Sequence, residues 1–265
     1  MADPEEPLAG GNTTAGVVRR GNTVRRPAGH WTPTVHRLLA HLAATDYPAP
    51  RPLGVDDRGR EILTFIPGEA VHPHRLELLD GEPALRRVGR LIADYHRAQS
   101  GFDPTPNDRW REEGRDPTGS TEVVAHNDLA PWNLIAGPSG FVFIDWDLAA
   151  PGRRFWDLAW ALHSFVGLWP ADTDAADTDD RTTDDTVRRI AAFCDGAEVD
   201  RAGRAELLAV VVERTADHAA MLRRRADAGD RIAASLVADG HADRWDQGAQ
   251  HVAENRDRWS ARLLE

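Results

Sequence analysis

HNDLAPWN, running from His126 to Asn133, and FVFIDWD, from Phe141 to Asp147, decide how this chain is read. Between apolar runs they gather a histidine, asparagines and several aspartates. Two readings are open: turn residues between short strands, or groups that handle a nucleotide phosphate and its metal. Phosphoryl transfer asks a protein for a carboxylate near the acceptor hydroxyl and for oxygens that hold Mg²⁺ on the phosphates. Magnesium keeps several of its waters, so one Asp and one Asn can be enough protein. HNDLAPWN offers both on one loop, and FVFIDWD adds a third group at the end of an apolar run.

Working outward, TEVVAHND and GFVFIDWD read as short strands, which puts the polar residues at strand ends and in a loop, where function is commonly carried. Upstream, GVVRR and NTVRR are β-compatible pieces around a Gly-Asn turn signal, a hairpin fed by the glycine-bearing loop Gly10 to Gly16. WTPTVHRLLAHLAA follows as an amphipathic helix, with Thr32 as N-cap, Pro33 at the first helical position and Val35, Leu38, Leu39 and Leu42 on one face. REILTFIPGEA (Arg60 to Ala70) is a β-like run stopped by Pro67 and Gly68, the expected boundary between residues 1–68 and residues 69–265. Beyond it, Leu85, Val88, Leu91, Ile92 and Tyr95 form one helical stripe. FWDLAWALHSFVGLW is helical, and two or more further helices are expected from Thr186 to the end. Ala171 to Asp185 is an acidic segment that reads as a solvated loop or as a lid attracting a cation.

Composition limits the function classes. The 265 residues are 41% hydrophobic and 28% charged, as in an ordinary globular protein with a sizeable core. A net charge of −11 argues against a nucleic-acid partner and is compatible with a cationic small molecule. No stretch reads as a membrane span, and MADPEEPLAGG has neither the basic nor the apolar region of a signal peptide, so the expected location is the cytoplasm. Cys194 is the only cysteine, which excludes an internal disulfide and reads as a small buried hydrophobe. His72-Pro-His74 lacks any recognised metal-ligand spacing, and the arginines of MLRRRADAGDR read as a solvated helix face. Among the nine tryptophans, Trp132 lies in the loop itself, while Trp156, Trp160 and Trp169 read as core.

The spacing is the specific signal. His126-x-Asp128, with Asn133 five residues after the aspartate, matches the kinase pattern H-x-D-x-x-x-x-N, and Asp145 lies twelve residues further on. In HNDLAPWNLI and FIDWD, with support from the glycine-loop hairpin, ILTFIPGE and RRFWDLAW, the sequence resembles the aminoglycoside phosphotransferase family of the protein-kinase-like group. The resemblance covers most of residues 8 to 165. It implies an α+β, bilobal fold with a small antiparallel-sheet N-lobe and a mainly helical C-lobe, and transfer of the γ-phosphate of ATP or GTP to a small-molecule hydroxyl with Mg²⁺. By that match Asp128 is the base, His126 braces the loop, and Asn133 and Asp145 hold the metal. Asp147 either reaches the metal through water or caps the following turn. Asp157 either supports the loop or is a carboxylate favoured by its helix start. The main chain at Thr64 and Ile66 would meet the purine edge, and Asn12, Thr13 and Thr14 would lie along the phosphates.

The pattern breaks at one place. Kinases pair a lysine on the third strand with a glutamate on the next helix. All 32 basic residues here are arginines, and TPTVHRLLAHL has no acid. Strand alternation puts Val24 and Arg26 on one face, making Arg26 the substitute and leaving Arg25 toward solvent. His36 reads as a surface or packing residue. Either the nucleotide is held in a modified way, or the chain is an inactive kinase-like binding protein.

Overall fold

The structure is a computed structural model that describes residues 4–8, 16–170 and 183–265. Its first part is an antiparallel sheet built from β1 (Glu6–Pro7), β2 (Val18–Arg20), β3 (Thr23–Pro27), β4 (Pro52–Val55) and β5 (Arg60–Thr64), with α1 (Thr32–Ala44) between β3 and β4. The strand order is β1-β2-β3-β5-β4. Gly21 and Asn22 turn β2 into β3 with Arg20 opposite Thr23, and Gly21 takes the positive φ that such a tight turn requires. Val35, Leu38, Leu39 and Leu42 are buried, as the helical spacing predicts. Thr32 does not cap α1. It is the first helical residue, and its hydroxyl accepts the N–H of Gly29 at 2.9 Å, closing the preceding turn.

The run Arg60 to Ala70 is interrupted at Pro67 and Gly68, as the sequence suggests. It divides into β5 and β6 (Glu69–Ala70), which belong to different sheets. Where the chain crosses, Gly68 has φ 143°, and a Cβ there would sit 2.4 Å from the carbonyl oxygen of Ala136, so only glycine fits. β6 pairs with β8 (Leu134–Gly137), which forms a hairpin with β9 (Gly140–Phe143). β7 (Val123–Ala125) pairs instead with β10 (Ala150–Gly152), so TEVVAHND and GFVFIDWD lie in separate small sheets.

The rest is helical: α2 (Glu82–Ala98), α3 (Arg154–Val166), α4 (Thr183–Gly196), α5 (Arg201–Asp227), α6 (Arg231–Ala238) and α7 (His241–Leu264). Leu85, Val88, Ile92 and Tyr95 of α2 are buried in one core with Leu158 and Leu162 of α3, Phe193 of α4 and Leu208 of α5, while Leu91 is half-buried at its edge. Cys194 is fully buried, and burial pushes its thiol up to about 12. Arg223, Arg224 and Arg225 of MLRRRADAGDR lie on α5 and pair with carboxylates: Arg223 with Asp243 and Asp246, Arg224 with Asp217, Arg225 with Asp230. No helix among the described residues is long and apolar enough to cross a membrane. Of the acidic segment, only Thr183 to Asp185 lie within the described residues, in the first turn of α4.

An irregular stretch between α2 and β7 ties the two parts together. At one end Arg37 of α1 pairs with Asp108, and the N–H of Arg109 reaches the hydroxyl of Thr34 at 2.9 Å. At the other, the indole N–H of Trp156 donates to the carbonyl of Gly114 at 2.9 Å, and Asp116 pairs with Arg153 at 2.9 Å. The helix of the small sheet is thereby fixed against α3.

Candidate active site

The loop after β7 is shaped by one buried carboxylate. Asp157, in the first turn of α3, accepts the N–H of Asn127 at 2.8 Å, the N–H of His126 at 3.1 Å and the Nε2 hydrogen of His96 at 3.0 Å. Burial alone would raise its pKa, but His96 and the loop amides hold it below the ordinary carboxylate value. Asn127 stands at φ 66°, a left-handed conformation that asparagine tolerates better than most residues. It is held there by its own N–H on Asp157 and by its side-chain amide on the carbonyl of Leu148 at 2.8 Å.

His126 is fully buried. Its Nδ1 accepts the N–H of Asp128 at 3.3 Å, so the ring hydrogen is on Nε2 and donates to the carbonyl of Ile144 at 3.2 Å. Burial lowers its pKa and keeps the ring neutral. His126 thus braces two segments, the loop and the stretch that leads to Asp145. The same two segments are joined by the N–H of Ile144 on the carbonyl of Asn133 at 2.9 Å.

The carboxylate of Asp128 receives three side-chain donors. Asn133 Nδ2 lies 2.7 Å from Oδ2, Trp160 Nε1 lies 3.1 Å from Oδ1, and Trp132 Nε1 lies 3.3 Å from Oδ1. Burial, then the charge of Asp145, push its pKa up to about 6 against those donors. Trp160, read from sequence as core, is buried and also serves the site through its N–H. It lies between Trp245, stacked at 4.5 Å, and the guanidinium of Arg214 at 4.6 Å. Trp132 is 38% exposed beside the carboxylate. Arg214 is buried, donates from Nη2 to the carbonyl of Asn127 at 3.1 Å, and has no hydrogen-bond partner at Nε or Nη1 among the described residues. Burial lowers its pKa to about 10, so it stays a cation at neutral pH.

Asp145 follows β9 at φ 61°, a left-handed position for a residue with a side chain. Its side chain is 35% exposed, and its Oδ1 accepts Nη1 of Arg26 at 2.7 Å. Asp147 accepts Nη2 of the same guanidinium. It therefore pairs with Arg26 and caps no turn among the described residues. Burial raises its pKa, and the neighbouring acids add to that, while Arg26 opposes it.

Arg26 is buried, and its Nε donates to Glu61 Oε1 at 2.5 Å. Burial alone would depress its pKa; Asp145, Asp147 and Glu61 raise it above the ordinary arginine value. The other oxygen of Glu61 lies 2.9 Å from Nε2 of His36 on α1. Sequence reading missed Glu61 and took His36 for a surface or packing residue. The signal for Glu61 was its alternation with Leu63, an acid on the inward face of an apolar strand. Arg25 does not face solvent. Only 12% of its side chain is exposed, and it bonds Thr23 Oγ1 at 2.7 Å, near Asp56.

Thr64 ends β5, and its N–H already donates to the carbonyl of Arg51 at 3.0 Å, so it has no N–H to offer a base. Ile66 follows, half-buried, between β5 and β6. Asn12, Thr13 and Thr14 lie outside the described residues.

The metal expectation can be tested on the donor chemistry. Asn133 spends its amide N–H groups on Asp128, at 2.7 Å to Oδ2 and 3.0 Å to the carbonyl, which turns its side-chain oxygen toward other use. Asp145 has one carboxylate oxygen that takes no hydrogen bond among the described residues. Three carboxylates, Glu61, Asp145 and Asp147, surround the single guanidinium of Arg26, a surplus of negative charge that a divalent cation would offset. No three His, Cys, Asp or Glu side chains converge as a metal cage among the described residues. Two oxygens beside a charge surplus fit a hard cation that keeps its waters, and do not fit zinc.

Known proteins resemble this chain in sequence and in fold. The model of the phosphotransferase enzyme family matches residues 107–207, which contain both decisive stretches. The trifolitoxin immunity protein of Rhizobium leguminosarum bv. trifolii is 40% identical over 172 residues, 62% of this chain and 63% of that relative. The match thus spans less than two thirds of the relative's length. A choline/ethanolamine kinase family protein from Mesorhizobium loti superposes with a TM-score of 0.62 at 15% identity, over 98% of this chain and 92% of that one. An amicoumacin kinase in complex with AMP-PNP, Ca²⁺ and Ami gives 0.62 at 12% identity, over 96% and 88%. The GDP complex of aminoglycoside 2′-phosphotransferase-IIIa gives 0.56 at 15% identity, over 97% and 94%. The resemblance carried by HNDLAPWN and FIDWD stands, and the fold is the bilobal kinase-like one.

Proposed function

We propose that this chain is a small-molecule kinase that moves the γ-phosphate of ATP or GTP to a hydroxyl, with Mg²⁺ and with Asp128 as base. One observation carries the reading. The carboxylate of Asp128 is held by Asn133, and the two segments bearing Asn133 and Asp145 are fastened by His126 and Ile144. Asn133 and Asp145 would hold the metal, which when bound neutralises charge on the phosphates. Asp128 takes the proton of the acceptor hydroxyl at a carboxylate oxygen, and a pKa pushed up to about 6 suits a base working near neutral pH. His126, neutral and with both nitrogens engaged, positions the loop and takes no proton. Asp157 holds the amides that set Asp128 in place. Arg26 stands where the kinase lysine would, with the phosphates as its target. The nucleoside would lie along the Thr64 to Ile66 stretch, between a lobe of residues 1–68 and one of residues 69–265.

The acceptor in this reading is a small molecule, with no nucleic acid or membrane partner and with the cytoplasm as workplace. Beside Asp128 it meets the exposed ring of Trp132. The inactive alternative rested on the missing lysine and its acid partner, and the Arg26 to Glu61 pair supports the active reading over it.

Calorimetric titration of ATP and of GTP, with and without Mg²⁺, beside Asp145→Ala tests the proposal. Binding that needs Mg²⁺ and is lost in the variant is expected. An acceptor screen then starts from what the relatives' names suggest: choline, ethanolamine, aminoglycosides, amicoumacin and trifolitoxin, with Asp128→Ala as control. Failure of both nucleotides to bind at millimolar concentration refutes the reading.

A further inference from the structure

Arg26 and Glu61 are directly opposite each other across β3 and β5, so the sheet register alone brings them together. Glu61 is 1% exposed and has both oxygens engaged, Oε1 by Arg26 and Oε2 by His36. A guanidinium has five N–H donors. Among the described residues Arg26 commits three, one each to Glu61, Asp145 and Asp147, which leaves one on each terminal nitrogen. One N–H on each terminal nitrogen is what a guanidinium needs to grip phosphate oxygens as a fork.

Asp145 and Asp147 both pull on the terminal nitrogens of Arg26. Without a counter-pull at Nε, the guanidinium would close onto those two acids, and its remaining donors would turn away from the cleft. Glu61 supplies the counter-pull, and His36 prevents Glu61 from rotating. His36 is itself fixed, because α1 is tied to the helical part through Arg37, Thr34 and the Asp108 to Arg109 segment.

We propose that Glu61 and His36 are positioning residues that hold Arg26 as the phosphate-receiving cation, dividing between a strand acid and a helix histidine the part that one helix glutamate plays toward the kinase lysine. The proposal rests on the nucleotide reading above. It adds a specific requirement: the gain in affinity from the phosphates depends on residues that touch no nucleotide.

The test compares adenosine with ADP, and guanosine with GDP, each titrated with Mg²⁺ into the wild type, Arg26→Ala, Glu61→Gln, His36→Ala, His36→Gln and the Arg26→Ala/Glu61→Gln double variant. The readout is the ratio of nucleoside Kd to nucleotide Kd, which a general loss of structure would not change selectively. Glu61→Gln should reduce that ratio about tenfold or more, the scale of one hydrogen bond to a charged group. It should add nothing once Arg26 is absent. His36→Ala should lower the ratio in the same direction, and His36→Gln, which keeps a donor, should restore part of it. Should Glu61→Gln not fold, the two His36 variants carry the test by themselves. An unchanged or larger ratio in Glu61→Gln overturns the proposal, since Glu61 would then be idle or a competitor of the phosphates. Additive losses in the double variant overturn it as well. A wild type that gains from the phosphates while Glu61→Gln loses nothing refutes the positioning role alone. A wild type that binds neither nucleoside nor nucleotide refutes the kinase reading with it.

Discussion

Replacing Asp157 by Asn tests whether one buried carboxylate shapes the catalytic loop. Asp157 is fully buried and accepts three hydrogen bonds, from the N–H groups of His126 and Asn127 and from His96. An asparagine is nearly isosteric, but its NH₂ must replace one oxygen, and each oxygen faces at least one loop N–H. One backbone donor is therefore left unpaired, at about 1–3 kcal/mol, and the surviving bonds lose the assistance of charge, about 1 kcal/mol more. The expected loss is about 2–4 kcal/mol, read as a lower urea midpoint at pH 7 with the slope unchanged. The pH dependence follows from the depressed folded-state pKa. The stabilisation by ionised Asp157 is fully present above the unfolded carboxylate value and is lost as pH falls through the lower folded one. The difference between wild type and variant should therefore narrow in acid. A loss under about 1 kcal/mol at pH 7, or a difference that widens in acid, would refute the reasoning.

Three other outcomes follow from the geometry. Trp160→Phe keeps an aromatic ring against Trp245 but removes the donor to Asp128, so the Asp128 pKa in metal-free protein should rise above about 6; carbon NMR titration of the carboxyl reads this, and a fall would contradict it. Gly89→Ala should destabilise by about 1–3 kcal/mol although alanine is the better helix former, because its Cβ would lie 2.4 Å from the carbonyl oxygen of Phe193 on α4; a thermal melt equal to wild type would show that the helices move apart freely. Asp230→Ala removes the side chain that accepts the N–H groups of Ile232 and Ala233 at the start of α6, and should cost about 1–2 kcal/mol. Hydrogen exchange in α6 should then quicken more than exchange in α2.

Local chemistry made much of this chain legible. The face of α1 could be read because helix periodicity depends on neighbours within a few residues, and the β2 to β3 hairpin because Gly-Asn fixes its own turn. The loop from His126 to Asn133 could be read because its chemistry is packed into eight consecutive residues. Local rules were weaker at boundaries. Thr32 looked like a cap by residue type, yet its hydroxyl serves Gly29, and the break read at Pro67 and Gly68 gave no hint that the chain passes there from one sheet to another.

By itself, the sequence determined the kinase-like spacing of Asp128, Asn133 and Asp145, and that no lysine can receive a phosphate here, since every one of the 32 strongly basic side chains is an arginine. Tertiary structure decided what holds that arginine. Glu61 lies 35 residues from Arg26 and His36 comes from a helix, so their meeting depends on the register of β3 against β5 and on the angle at which α1 packs. The placement of Asp147 on Arg26, and of the Trp160 indole on Asp128, was decided in the same way. Side-chain pairs brought together by sheet register and helix packing leave no periodic trace in either segment alone, and burial away from water is what makes each pairing strong enough to matter.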